Sequence, residues 1–341
     1  MNGSEKSPEN TPESAGGNPA PSAQEGRPSE DAAANPREQA RLAEQEGAAS
    51  VRTSATTEAV RDRGPASSRN SAPSHPWTRY VALGDSFTEG IGDPDESRPG
   101  YHRGWADRVA ETLAEGTEHF AYANLAVRGK LIAQIRDDQI APALELKPDL
   151  ITLCAGGNDV IRPGGDPDET ARTLDTMVQL LSTTGATIVL FNGPDVRETP
   201  VVGSIRGKVA IYNENVRTVA ARHDAVVADM WSLRELTRQE MWDEDRLHFS
   251  PLGHHTIART VLDTMNVEHD LDPVEPRPVP ERSWREARVG DVVWARHHLF
   301  PWVIRRLRGR SSGDGVTAKR PNIEPLFGGS MPPGGGAGEE V

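Results

Sequence analysis

Five short apolar, β-branched runs recur between residues 77 and 266: Tyr80–Leu83, Phe120–Asn124, Leu150–Cys154, Thr187–Phe191 and Ala225–Asp229. Segments of helical character separate them, over about Trp105–Ala114, Leu131–Leu146, Glu169–Ser182 and Ile205–Ala221. Strands that alternate with helices need crossover connections, and crossovers within one sheet are right-handed. The pattern therefore predicts an α/β domain with a parallel sheet and helices on both faces. The third and fourth runs sit in Asp149–Ala155 and Ala186–Asn192, which are apolar on both faces, as central parallel strands are. A last helix is predicted from near Pro251, carrying Ile257, Val261 and Leu262. The span 77–266 is an ordinary size for one hydrophobic core.

The flanks have a different texture. Residues 1–76 are rich in Pro, Ser, Ala, Glu and Gly with almost no large apolar side chains, and are expected to form a disordered tail. Residues 267–280 read as a Pro-rich linker. Residues 281–325 form a basic extension containing Trp284, Trp294 and Trp302, and 326–341 a second disordered tail. The net charge of −13 argues against a general nucleic-acid partner. It is unevenly spread: about −3 on 1–76, about +4 on 276–341, and about −14 between. An acidic domain followed by a basic extension predicts that the extension folds back on it. The competing reading, a membrane-surface helix with Trp and Phe opposite Arg, is disfavoured because Pro301 interrupts it.

The chain has one cysteine, so no intrachain disulfide forms, which fits a reducing compartment. The N-terminus lacks the apolar core of a secretory leader, and no apolar run reaches the roughly 20 residues of a membrane span. A cytoplasmic location is the expectation.

Gly84-Asp85-Ser86 follows the first strand, and ligands bind at the C-terminal edge of such sheets. A serine there is a nucleophile or a cap, and a serine nucleophile needs a base. Asp245 and His248 stand three residues apart, so the carboxylate can hold one imidazole nitrogen while the other faces Ser86. Acyl transfer also needs donors for an oxyanion. Gly129, on the loop after the second strand, can turn an N–H into the site. Asn158, in Ala155-Gly156-Gly157-Asn158-Asp159 after the third strand, can offer its amide. Each piece alone also reads as a turn, a cap or a surface hydrogen bond. Together they place Ser, Gly and Asn at one sheet edge with an Asp-x-x-His downstream.

With these four blocks in this order, the chain resembles the SGNH (GDSL-type) hydrolases over about residues 77–266. The resemblance implies a three-layer α/β/α flavodoxin-like sandwich with a five-stranded parallel sheet, in the order 2-1-3-4-5. It implies a serine hydrolase acting on carboxylic esters, with Ser86, Asp245 and His248 catalytic and Ser86, Gly129 and Asn158 forming the oxyanion hole. A carbohydrate O-deacetylase or thioesterase would use the same residues, and a catalytically silent acyl-binding protein would keep the fold. The expected partner is a small-molecule or acylated ester, with no cofactor and no metal. His254-His255 and His297-His298 lack the ligand spacing of a zinc site. Cys154, at the end of a buried strand, reads as a small core residue.

Overall fold

The computed structural model describes residues 75–115, 117–199, 203–275, 293–294, 296–297 and 312–326. Nearly all of the predicted tails, the predicted linker from 276 onward and most of the extension lie outside the described residues.

A six-stranded sheet in the order β5-β4-β3-β1-β2-β6 forms the middle layer. The strands are β1 (Arg79–Gly84), β2 (Ala121–Asn124), β3 (Leu150–Cys154), β4 (Thr187–Phe191), β5 (Val226–Ala228) and β6 (Arg320–Pro325). The first five are mutually parallel and keep the predicted order. The helices are α1 (Ser86–Glu89), α2 (Gly104–Ala114), α3 (Ile132–Glu145), α4 (Gly157–Ile161), α5 (Pro167–Ser182), α6 (Arg206–Arg222) and α7 (Pro251–Thr264).

Successive side chains of a strand point to opposite faces, and β1 divides the core on that basis. Tyr80 and Ala82 pack with Trp105, Val109 and Leu113 of α2 and Ile257, Val261 and Leu262 of α7. Val81 and Leu83 pack with Ile135 of α3, Leu174 and Met177 of α5 and Val216 of α6. Two helical layers thus enclose the sheet, and each large aliphatic side chain so buried contributes about 1.5–3 kcal/mol.

The expected five-stranded parallel sheet needs one correction. A sixth strand, β6, pairs antiparallel with β2, with Ala121 opposite Pro325 and Tyr122 opposite Glu324. Its sequence, Arg-Pro-Asn-Ile-Glu-Pro, has no apolar alternation and carries two prolines, which cannot donate to a ladder and are confined to edges. The strand exists because the β2 edge is there to receive it and because Lys319 anchors it. The Lys319 ammonium meets Asp107 at 2.9 Å and donates to the carbonyls of His102 and Arg103, also at 2.9 Å. Both side chains are buried, so the pair is sustained by its partners rather than by solvent.

The end of β1 is fixed from across the sheet. Gln139 of α3 is buried, accepts from Gly84 N at 2.9 Å and donates to Gly84 O at 2.8 Å. This stands in for a ladder bond where the chain leaves the sheet, and it sets the position of Ser86.

Candidate active site

Ser86 is the first residue of α1. Asp85 caps that helix, its Oδ1 accepting from Phe87 N at 3.1 Å, so the hydroxyl is presented on a single short turn. The loop after β2 is drawn to the same turn by Glu89. Its carboxylate accepts from Arg128 N at 2.7 Å and from the Arg128 guanidinium at 2.9 and 2.5 Å. Beside this clamp Gly129 takes φ 75°, a left-handed value that suits glycine. Asn124 supports the loop from below. It is fully buried, donates to Thr88 O and accepts from Ala126 N.

Asn158 lies within α4 and not on an open loop; Gly156, left-handed at φ 92°, starts that short helix where the sequence reads as a turn. The Asn158 amide donates to Asp85 Oδ2 at 2.9 Å and to Lys130 O at 3.1 Å. Its neighbour Asp159 accepts from Ile132 N at 2.9 Å and so caps α3.

Asp245 and His248 sit on a narrow antiparallel turn. Asp243 N donates to His248 O at 2.8 Å, Ser250 N to Met241 O at 2.9 Å, and Trp242 bridges to Phe249. Arg246 at the tip takes φ 56°, an uncommon value for a residue with a Cβ. Asp245 Oδ1 accepts from the N–H groups of Leu247 and His248, both at 2.9 Å. That leaves Oδ2 for the His248 ring, whose Nδ1–H donates to it at 2.5 Å. With Nδ1 so protonated, Nε2 accepts from the Ser86 hydroxyl at 2.9 Å. The structure thus brings Ser86, His248 and Asp245 into one chain of hydrogen bonds, with Asn158 reached through Asp85.

The electrostatics differ between the two carboxylates. Burial pushes Asp85 up to about 6, against the Phe87 N–H, His248 and Asn158, which favour its ionised form. A raised value means that folded-state stability falls as pH rises from the ordinary carboxylate range through about 6. Burial also works to raise Asp245, but the hydrogen bond from His248, its charge and two backbone N–H groups outweigh this and hold it at about 2. Burial drives the Cys154 thiol well above its ordinary value, which keeps it uncharged. His254 is fully buried, with Nδ1 accepting from Trp105 N and Nε2–H donating to Ile91 O. Both its nitrogens are therefore engaged within the core.

A cavity of about 530 Å³ opens beside Ser86. Phe87, Ile91, Ile161, Val196, Ile205 and Trp242 supply much of its wall. Sequence reasoning missed Glu89, Arg128 and Gln139, which bring the loops together but match no motif. It also missed Trp294, His297 and Ser312, which reach the site from the C-terminal segment.

A family model described as "GDSL-like Lipase/Acylhydrolase family" matches residues 82–256, just over half of the chain. Comparison with curated proteins gives no match. Among solved structures, the lipase/acylhydrolase from Enterococcus faecalis is 22% identical, with 58% of this chain and 98% of that one covered and a TM-score of 0.46. The acetylxylan esterase Axe2 from Geobacillus stearothermophilus is 22% identical, with 55% and 94% covered and a TM-score of 0.45. TesA is 22% identical, with 55% and 97% covered and a TM-score of 0.46.

Proposed function

The chain belongs to the GDSL-like lipase/acylhydrolase family, and on that premise we propose that it hydrolyses carboxylic esters with Ser86 as nucleophile. The observation that carries this reading is the continuous hydrogen-bonded line Ser86 Oγ–His248 Nε2 and Nδ1–Asp245 Oδ2, at 2.9 and 2.5 Å. A hydroxyl is a weak nucleophile until a base within hydrogen-bond reach takes its proton.

In the proposed reaction His248 Nε2 accepts the Ser86 proton as Oγ bonds to the carbonyl carbon. Asp245 holds the ring in the tautomer that can accept and stabilises the imidazolium that results. The backbone N–H groups of Ser86 and Gly129 and the Asn158 amide receive the developing oxyanion. Asn158 exchanges its longer bond, to Lys130 O, for that interaction and keeps Asp85 as its anchor. The alcohol leaves with the proton from His248. Water, deprotonated by His248, then attacks the acyl-enzyme and releases the acid.

Asn158→Ala is expected to lower kcat by about 10²–10³ with little change in KM, the usual cost of one oxyanion donor. Steady-state kinetics on an activated ester measure it, and full activity in the variant would remove Asn158 from the role.

The apolar wall of the 530 Å³ cavity favours an extended acyl chain over a bare acetyl group. A panel of p-nitrophenyl esters from two carbons upward, run beside acetylated sugars and with Ser86→Ala as control, tests this. The expected result is a kcat/KM that rises with chain length into the medium range. Faster turnover of acetylated sugars than of every alkyl ester would replace this reading with that of a carbohydrate deacetylase.

A further inference from the structure

The family match ends at residue 256, yet residues well beyond it reach the site. Trp294 is buried, and its indole Nε1–H donates to the carbonyl oxygen of Asp245 at 3.1 Å. The Arg246 guanidinium lies 5.0 Å from the centre of the same ring. His297 and Ser312 line the cavity that holds Ser86 and His248. Gly313 packs so closely on the backbone of Arg128 that a Cβ there would fall 2.0 Å from the Arg128 carbonyl oxygen. Lys319 and β6 pin the following residues to α2 and β2.

We propose that Trp294 is a positioning residue for the Asp245–His248 pair, acting through the Asp245 peptide. The inference rests on the ester-hydrolase reading. Its physical basis is the turn that carries Asp245. Arg246 follows in a left-handed conformation that is strained for a residue with a Cβ and persists only where its surroundings impose it. Trp294 imposes it twice. The indole N–H satisfies the Asp245 carbonyl, and the ring face holds the Arg246 cation. If the Asp245 peptide tilts, Oδ2 moves off Nδ1, and Nε2 turns away from the Ser86 hydroxyl. Trp294 itself touches neither reacting atom.

The test uses the full chain and two variants. Trp294→Phe keeps a ring beneath Arg246 and removes the N–H; Trp294→Ala removes both. Two readouts are needed: kcat and KM on a short p-nitrophenyl ester, and the far-downfield proton resonance of His248 Nδ1–H, assigned by its loss in His248→Ala. Misplacement of this kind is expected to lower kcat about tenfold in Trp294→Phe and about 10²-fold in Trp294→Ala, with KM within about twofold. The resonance shifts or broadens in both. A residue that only stabilises the fold would lower the melting temperature and leave the resonance in place. Should Trp294→Ala fail to fold, Trp294→Phe decides. Unchanged kcat with an unmoved resonance in Trp294→Phe overturns the proposal. Wild-type protein inert towards every ester would sink the ester reading alone, because the resonance still reports on Asp245 and His248 without turnover.

Discussion

Ser86→Ala is expected to lower ester turnover by about 10⁶-fold, the scale seen when a triad nucleophile is removed. In the proposed reaction no acyl-enzyme forms without Oγ, and whatever hydrolysis survives comes from water held near the proposed oxyanion donors. The fold should be indifferent to the change. Ser86 begins α1, but the cap is Asp85, which the substitution leaves in place. Alanine is a good helix former, and a change of this kind away from the core is worth within about 0.5 kcal/mol. Labelling by a fluorophosphonate, single-turnover kinetics and a thermal melt measure all three consequences. Labelling that persists in the variant would show that another side chain is the nucleophile.

Asp245→Asn should cost about 10⁴ in kcat, although the two side chains have nearly the same shape. The reason is the number of lone pairs. Asp245 Oδ1 is already occupied by the Leu247 and His248 N–H groups, and Oδ2 takes the Nδ1–H. An asparagine has only one oxygen. If that oxygen serves the two backbone groups, its NH₂ faces His248 and forces Nδ1 to be the acceptor. The proton then sits on Nε2, which can no longer receive one from Ser86. KM should stay near its original value, since in the proposed reaction Asp245 acts on the ring and not on the substrate. A stability signature accompanies the kinetic one. Asp245 is held at about 2, below its ordinary value of 3.8. Its ionised form therefore stabilises the fold above about pH 4, and the contribution is lost as pH falls through about 2. At neutral pH the difference is on the order of 2 kcal/mol. Melting curves of both proteins should lie apart at pH 7 and converge in strong acid. Equal kcat values for the two would exclude Asp245 as the partner that sets the tautomer.

The layered fold was legible because its signal is local and repeated. Each of the five parallel strands is an apolar run bounded by turn residues, and each intervening helix carries its own apolar stripe. That Ser86, Gly129 and Asn158 gather at one cavity was legible for a different reason. Parallel topology sends the C-terminal end of every strand to one edge, so residues far apart in the chain become neighbours. What stayed hidden depends on contacts that no local pattern encodes. Gln139 bonds to Gly84 across 55 residues, and Glu89 to Arg128 across 39. Neither pair differs in sequence from ordinary surface polar residues. Trp294 stood out only as one tryptophan in a basic extension, because nothing near it announces a bond to a carbonyl 49 residues earlier. β6 was illegible in the strict sense, since its six residues have no strand character until β2 supplies a partner.

That strand also has a bearing on how molecules of this protein meet one another. A parallel sheet ending at β2 would present a row of unpaired N–H and C=O groups, a template for any extended chain that passes, including another copy. β6 occupies that row from within the same molecule. Its own outward side is a poor template, because Pro321 and Pro325 have no N–H to offer and the exposed Glu324 brings charge to the rim. Loss of the strand, by proteolysis or by a stop codon shortly before it, would turn an intramolecular pairing into a vacancy open to neighbours. The C-terminal residues would then guard against self-association in proportion to how crowded the protein is.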